Sequence, residues 1–287
     1  MFKKVVCYKY NDKGRKTYLP CKTQYYCRFC KETKTRSMFK SDAHEVSEAL
    51  GNKYLLSKYE CDQCNKKFAE CEENEIGKLF KFYKANRGIE GKKGKTKIKE
   101  NSFELSGDYN EARKSYSIDV KATHPACVME SKTNGLQNGD MAILKWDYPI
   151  CVNFRYVYRA LLKYAWGIIP ENLTHILEDS FSLLQHDDGK TKLKLCAFIH
   201  KKVKRDYGIA LYEDTDFYYT RYICLIDIFQ FTYVVFINCK HIARSELYKF
   251  LHYDCDDVVE LIDLDYSSSK YVFRQTEQVT GIVDNHG

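Results

Sequence analysis

The sequence predicts an α+β protein in two parts, a small metal-stabilised module first and a larger domain of helices and antiparallel sheet after it. Three observations predict this. Cys27-x-x-Cys30 and Cys61-x-x-Cys64 are tight pairs separated by thirty residues, and a tetrahedral zinc site takes four thiolates most easily from two such turns. Beyond residue 100, β-branched and aromatic runs alternate with helical patterns and polar turns, as in a sheet packed on helices. Between these regions Arg87, Lys92, Lys93, Lys95, Lys97 and Lys99 crowd a glycine-bearing stretch, which reads either as a hinge lying along a phosphate backbone or as a solvated linker. The expected boundaries are 1–86 for the zinc module, 87–100 for the basic linker and 101–287 for the α+β domain.

Composition sets limits on this reading. A chain of 287 residues can bury a real core in one or two domains. Its net charge of +7 suits a polyanionic partner without demanding one. Thirteen cysteines with no export signal and no apolar run of bilayer length point to a reducing cytoplasm, not an oxidised secreted framework, and exclude a membrane partner. Outside the two pairs the cysteines lack ligand spacing and read as small core or surface residues. The alternative for the two pairs themselves is four unligated core thiols.

The elements follow in order. Two short strands come first: Ser37 to Glu45 leads to the first turn, Ala49-Leu50-Gly51-Asn52 is a loop with glycine where the chain reverses, and Lys53 to Tyr59 is extended. A helix then starts near Cys64. Phe68, Cys71, Ile76, Leu79, Phe80 and Tyr83 recur at three- and four-residue steps, giving one apolar stripe on a helix of about five turns. Glu70, Glu72, Glu73 and Glu75 fall in its first half, where they complement the helix dipole.

These residues carry a resemblance. The segment from Cys27 to about Lys84 resembles the HNH endonucleases of the ββα-metal type, through Ala43-His44, Leu50-Gly51-Asn52-Lys53, Glu60-Cys61-Asp62-Gln63-Cys64-Asn65 and Phe68. The resemblance implies a ββα-metal module in an H-N-N variant, with His44 as the general base that activates water, Asn52 as the loop residue that orients it, and Asn65 at a catalytic magnesium or manganese ion. Zinc on Cys27, Cys30, Cys61 and Cys64 would be structural. Phosphodiester cleavage needs that division between a base titrating near neutrality and a hard cation. One departure stands out: the pattern's acidic metal ligand directly before the histidine is replaced by Ala43. Asp42 is offset by one residue and so points to the opposite face of a strand. Glu73, eight residues along a helix from Asn65, lies about 12 Å away by helical rise, and reads as a structural or substrate-facing residue.

In the remaining chain, Tyr116–Val120 and Met141–Leu144 read as hairpin strands, with turns at Asn134-Gly135 and Asn138-Gly139. Asn153 to Ile169 is an amphipathic helix, and Pro170 opens a second over Glu171 to Gln185. Leu193–Lys202, Ile209–Glu213 and Tyr222–Cys239 are expected strands, and Ser245–Ile262 a late helix. Histidines 124, 175, 186, 200, 241 and 252 lack metal spacing. Twenty-four tyrosines read as core and cross-strand residues in preference to stacking platforms. The layout is similar to bacterial defence nucleases, which implies DNA as partner, double-stranded in preference to single-stranded, and antiviral defence as role. A homo-oligomer stays open. The alternatives are a non-catalytic zinc-ribbon DNA-binding protein and an RNA-cleaving enzyme of the same fold.

Overall fold

The computed structural model describes residues 2–10, 15–20, 23–91, 94–100, 103–110, 115–122, 129–130, 141–187, 189, 193–200, 207–214, 221–238, 258–266 and 271–282. Helices and antiparallel sheets make up the fold, and the described residues divide into two units, Met1–Gly77 with Asn153–Ser269, and Lys78–Val152 with Lys270–Gly287. The expected break at 87–100 therefore falls inside the second unit, and the cysteine pairs belong with the later helices and sheet.

The first unit is built on a six-stranded antiparallel sheet. Its strands run in the order Phe2–Lys9, Gly208–Asp214, Arg221–Ile228, Phe231–Ile237, Leu193–His200 and Val258–Tyr266. The apolar run expected as one strand from Tyr222 is a hairpin, turned at Phe229 with φ of 56°. Alternation places Phe198, Ala210, Tyr212, Ile223, Leu225 and Val234 in one buried cluster. Against this sheet packs the helix Phe154–Ile168, called α4 below because three shorter helices precede it in the chain. Asn153 caps it by accepting from the Arg155 N–H at 3.1 Å. Twelve of its fifteen residues are buried, Arg159 and Lys163 among them, so the helix has no solvated face and its cations must find partners inside. Glu171–Leu177 (α5) and a 3₁₀ stretch Glu178–Leu184 follow, within the span expected for a second helix.

The expected long helix after Cys64 is three. Asp62–Glu70 (α1), Glu72–Leu79 (α2) and Lys81–Asn86 (α3) are separated where Cys71 (φ −111°, ψ −80°) and Phe80 (φ −101°, ψ 14°) leave helical geometry. The apolar period continues across both breaks, which is why periodicity alone reads them as one helix.

In the second unit the basic stretch is folded. Glu90–Gly91 pairs with Gly94–Lys95, and Ile98–Glu100 adds an edge to the hairpin of Phe103–Asn110 with Ser115–Ala122. Ile98 is buried, while Lys95 pairs with Asp108 at 2.7 Å and Lys97 and Lys99 with Glu104 at 3.0 and 3.2 Å. Cations neutralised in this way, around a buried isoleucine, make a sheet edge where a linker was expected. Met141–Val152 pairs along its whole length with Tyr271–Ile282. The end of the expected late helix is strand Val258–Tyr266; Ser245 to residue 257, Lys92, Lys93, the two Asn-Gly turns and His124, His241 and His252 lie outside the described residues. No helix among the described residues is long and apolar enough to cross a membrane.

Candidate functional site

The two cysteine pairs converge. Tyr26–Cys27 and Glu32–Thr33 form a two-stranded ribbon whose turn carries Cys30, with Lys31 in the left-handed region at φ 58°. Cys61 immediately precedes α1 and Cys64 lies in its first turn. The four sulfurs lie within 4.8 Å of one another, an arrangement able to hold a metal ion such as zinc, whose thiolate tetrahedron has edges of about 3.8 Å. Cys27 and Cys61 are buried, and the Cys61 N–H donates to Cys27 Sγ at 3.4 Å. A hydrogen bond with Cys64 pulls the Cys27 thiol well below the usual thiol range, against burial and with help from neighbouring N–H groups, while the same bond pushes Cys64 up. Clustered thiols resist ionising together, and a bound dication removes that obstacle.

The second feature is the loop between the short antiparallel strands Ala43–His44 and Leu55–Ser57, which are followed in the chain by α1. Asn52 is fully buried and pins this loop. Its amide donates to Val46 O at 2.7 Å and Leu55 O at 2.8 Å, and its oxygen accepts from the N–H groups of Tyr54 and Leu55 at 3.1 and 2.9 Å. Four bonds from one side chain fix both limbs of the loop. Gly51 supplies the required φ of 97° at the end of the 3₁₀ turn Glu48–Leu50.

His44 is partly buried, and burial pushes its pKa below 6.5 against the opposing pull of Glu48, Glu73, Asp42 and the Asn52 backbone. Its Nδ1 is buried without a hydrogen-bond partner of ordinary geometry, and its Nε2 lies 4.0 Å from Glu48 Oε2. Asp42 is turned to other work, pairing with Lys16 at 2.7 Å and accepting from Tyr18 Oη at 3.3 Å. Ala43, in the position of the missing acid, is fully buried. Asn65 stands on α1, its Nδ2 3.4 Å from Ser41 Oγ, and Asp62 accepts from the Lys40 and Ser41 N–H groups at 3.1 and 2.9 Å. The segment entering His44 is thus tied to the start of the helix that bears Asn65.

Sequence reasoning missed a buried charge system in the same unit. Lys163 Nζ lies 3.1 Å from Glu60 Oε2 and 2.6 Å from Glu73 Oε1, while Arg159 reaches Glu72 at 2.7 Å and Asp187 at 3.2 Å. Glu72 and Glu73 therefore face α4 cations, beyond any part in a helix dipole. Burial pushes Glu45 up to about 8 and Glu60 up to about 7, with Lys163 opposing both. Arg28, next to Cys27, donates through Nη1 to the carbonyls of Trp166, Gly167 and Ile169 at 2.7, 3.0 and 2.9 Å and stacks 3.7 Å from the Tyr59 ring. It caps the C-terminal end of α4. Arg155, Arg159 and Lys163 recur every four residues, and that stripe on an otherwise apolar helix was the available signal.

Two clefts of about 300 and 380 Å³ share Arg28, Lys31, Trp166 and Glu178; neither is lined by His44, Asn52 or Asn65. No family model matches the chain, and neither a curated protein nor a solved structure matches it.

Proposed function

We propose that the chain is a metal-dependent endonuclease of the HNH type that hydrolyses phosphodiester bonds in DNA, with His44 as general base and Asn65 at the catalytic cation. The observation that carries this is the strand pair of His44 leading into α1, with Asn52 holding the loop by four bonds and burial keeping the imidazole neutral near pH 7. A neutral imidazole protonated on Nδ1 offers Nε2 as the acceptor of a water proton. Asn65 would present its amide oxygen to a magnesium or manganese ion, and one protein ligand is consistent with a cation completed by water and substrate phosphate. The cation supplies charge neutralisation at phosphorus and at the leaving oxygen. Zinc on the four thiols would hold the fold. Duplex DNA as substrate and defence against foreign DNA belong to this proposal through the resemblance alone.

The test uses plasmid, linear duplex, single-stranded DNA and RNA, each with magnesium, manganese or chelator. His44→Ala should lose about 10²- to 10⁴-fold in cleavage with zinc content and DNA binding retained. Asn65→Ala should be partly restored by excess cation. Wild-type cleavage should fall on the acid side of pH 6.5 as the base protonates. His44→Ala cutting at the wild-type rate with the same pH dependence would refute the mechanism and favour a zinc-ribbon binding protein; cleavage confined to RNA would move the substrate class.

A further inference from the structure

A carboxylate, that of Glu48, stands beside the proposed general base. We infer that Glu48 is a positioning residue for His44, holding the attacking water between its carboxylate and the imidazole; the inference rests on the nuclease reading above. Glu48 Oε2 lies 4.0 Å from His44 Nε2, beyond a direct hydrogen bond. One water placed about 2.8 Å from each atom spans that gap. Both side chains keep some exposure, 23% for His44 and 30% for Glu48, so solvent and a phosphate can reach the space between them.

The backbone fixes the points from which both side chains start. Glu48 opens the 3₁₀ turn Glu48–Leu50, which is anchored by buried Ser47 and Leu50 on either side and ends on the left-handed Gly51. Asn52 then locks the loop to Val46 and Leu55. Of the charged groups that face the imidazole, Asp42 is committed to Lys16 and Glu73 to Lys163 at 2.6 Å. Glu48 is different: no lysine or arginine claims it among the described contacts, and its Oε2 stands 4.0 Å from Nε2.

In the step this implies, one hydrogen of the water is donated to Glu48, which stays a carboxylate. The other proton passes to His44 Nε2 as the water oxygen bonds to phosphorus and the bond from phosphorus to the leaving oxygen breaks. The leaving oxygen takes a proton from solvent, and the imidazolium returns its own proton to solvent. Glu48 thereby orients the nucleophile and favours the imidazolium as it forms.

The experiment compares wild type with Glu48→Gln and Asp42→Asn, using cleavage of one duplex across pH and magnesium concentration together with an NMR titration of the His44 ring. Glu48→Gln should cut roughly tenfold to hundredfold more slowly on the neutral plateau, with the acid limb and the His44 titration both moved to lower pH and magnesium dependence unchanged. Asp42→Asn removes a charge without touching the water, so it should move the titration while keeping the plateau rate. Glu48→Gln with wild-type plateau and an unmoved titration would overturn the inference. So would recovery of Glu48→Gln at high magnesium, which would make Glu48 a cation ligand. Wild type inactive on every substrate would instead sink the nuclease reading, and this inference with it.

Discussion

Glu45 gives the most quantitative check on the buried charge system. Its side chain is buried against α4: a Cβ placed on Gly167 would stand 1.7 Å from Glu45 Oε1. Burial is the first cause of its raised pKa, with Lys163 and Arg28 lowering it and Glu60 and Glu73 raising it, for a result of about 8 against an ordinary 4.5. A carboxyl whose folded pKa lies above its unfolded one binds more protons in the folded state between the two values, so stability falls as pH rises through that window. Integrated from about 4.5 to about 8, the loss reaches about 5 kcal/mol, of which roughly 3 has accrued by pH 7. Glu45→Gln carries no proton and escapes this dependence. The assay is urea unfolding of zinc-loaded wild type and Glu45→Gln at matched pH values from 5 to 9. Subtracting one curve from the other cancels the pH dependence of the thiols, and the variant's relative stability should climb up to pH 8 and level off above it. A difference that is flat across pH 5.5 to 9 would mean that Lys163 holds Glu45 ionised, and would refute the reasoning.

Two further outcomes test the fold around it. Gly167→Ala should destabilise by about 1–3 kcal/mol despite alanine's better helix propensity, because the buried Glu45 carboxyl has nowhere to retreat, and Gly167→Ala combined with Glu45→Ala should recover most of the loss in the same unfolding assay. Elemental analysis should find one zinc per chain, and its removal by chelator should cost about 10 kcal/mol or more of apparent binding free energy, seen as loss of helical circular dichroism; a chain that keeps its structure without metal would show the four thiols to be ordinary core residues.

Legibility in the sequence followed the range of the interactions. The cysteine turns, the strands around Gly51, and the helix capped by Asn153 are set by spacings of a few residues, and each was readable. The breaks at Cys71 and Phe80 were hidden by an apolar period that crosses them. Lys95, Lys97 and Lys99 read as a linker because their partners Asp108 and Glu104 carry no local mark of pairing. The contacts joining Arg28, Glu60, Glu72 and Glu73 to the end and body of α4 span 87 to 141 positions, and local periodicity is blind to them. Asn52 was singled out by its place in a motif, and its part in pinning the loop is local, whereas Glu48, four residues after His44, carried no motif and its approach to the imidazole needed coordinates.

Arg28 bears on how this chain can be cut and recombined. Its guanidinium closes the end of a helix that begins more than a hundred residues later in the sequence, while its neighbour Cys27 belongs to the thiol cluster. A fragment ending at residue 86 would carry Glu60, Glu72 and Glu73 without Lys163 and Arg159, and the arginine without the three carbonyls it serves. The cysteine segment is therefore not a portable cassette. Grafts onto other scaffolds, or libraries that shuffle domains at residue 86, should take Asn153–Ile169 along with it.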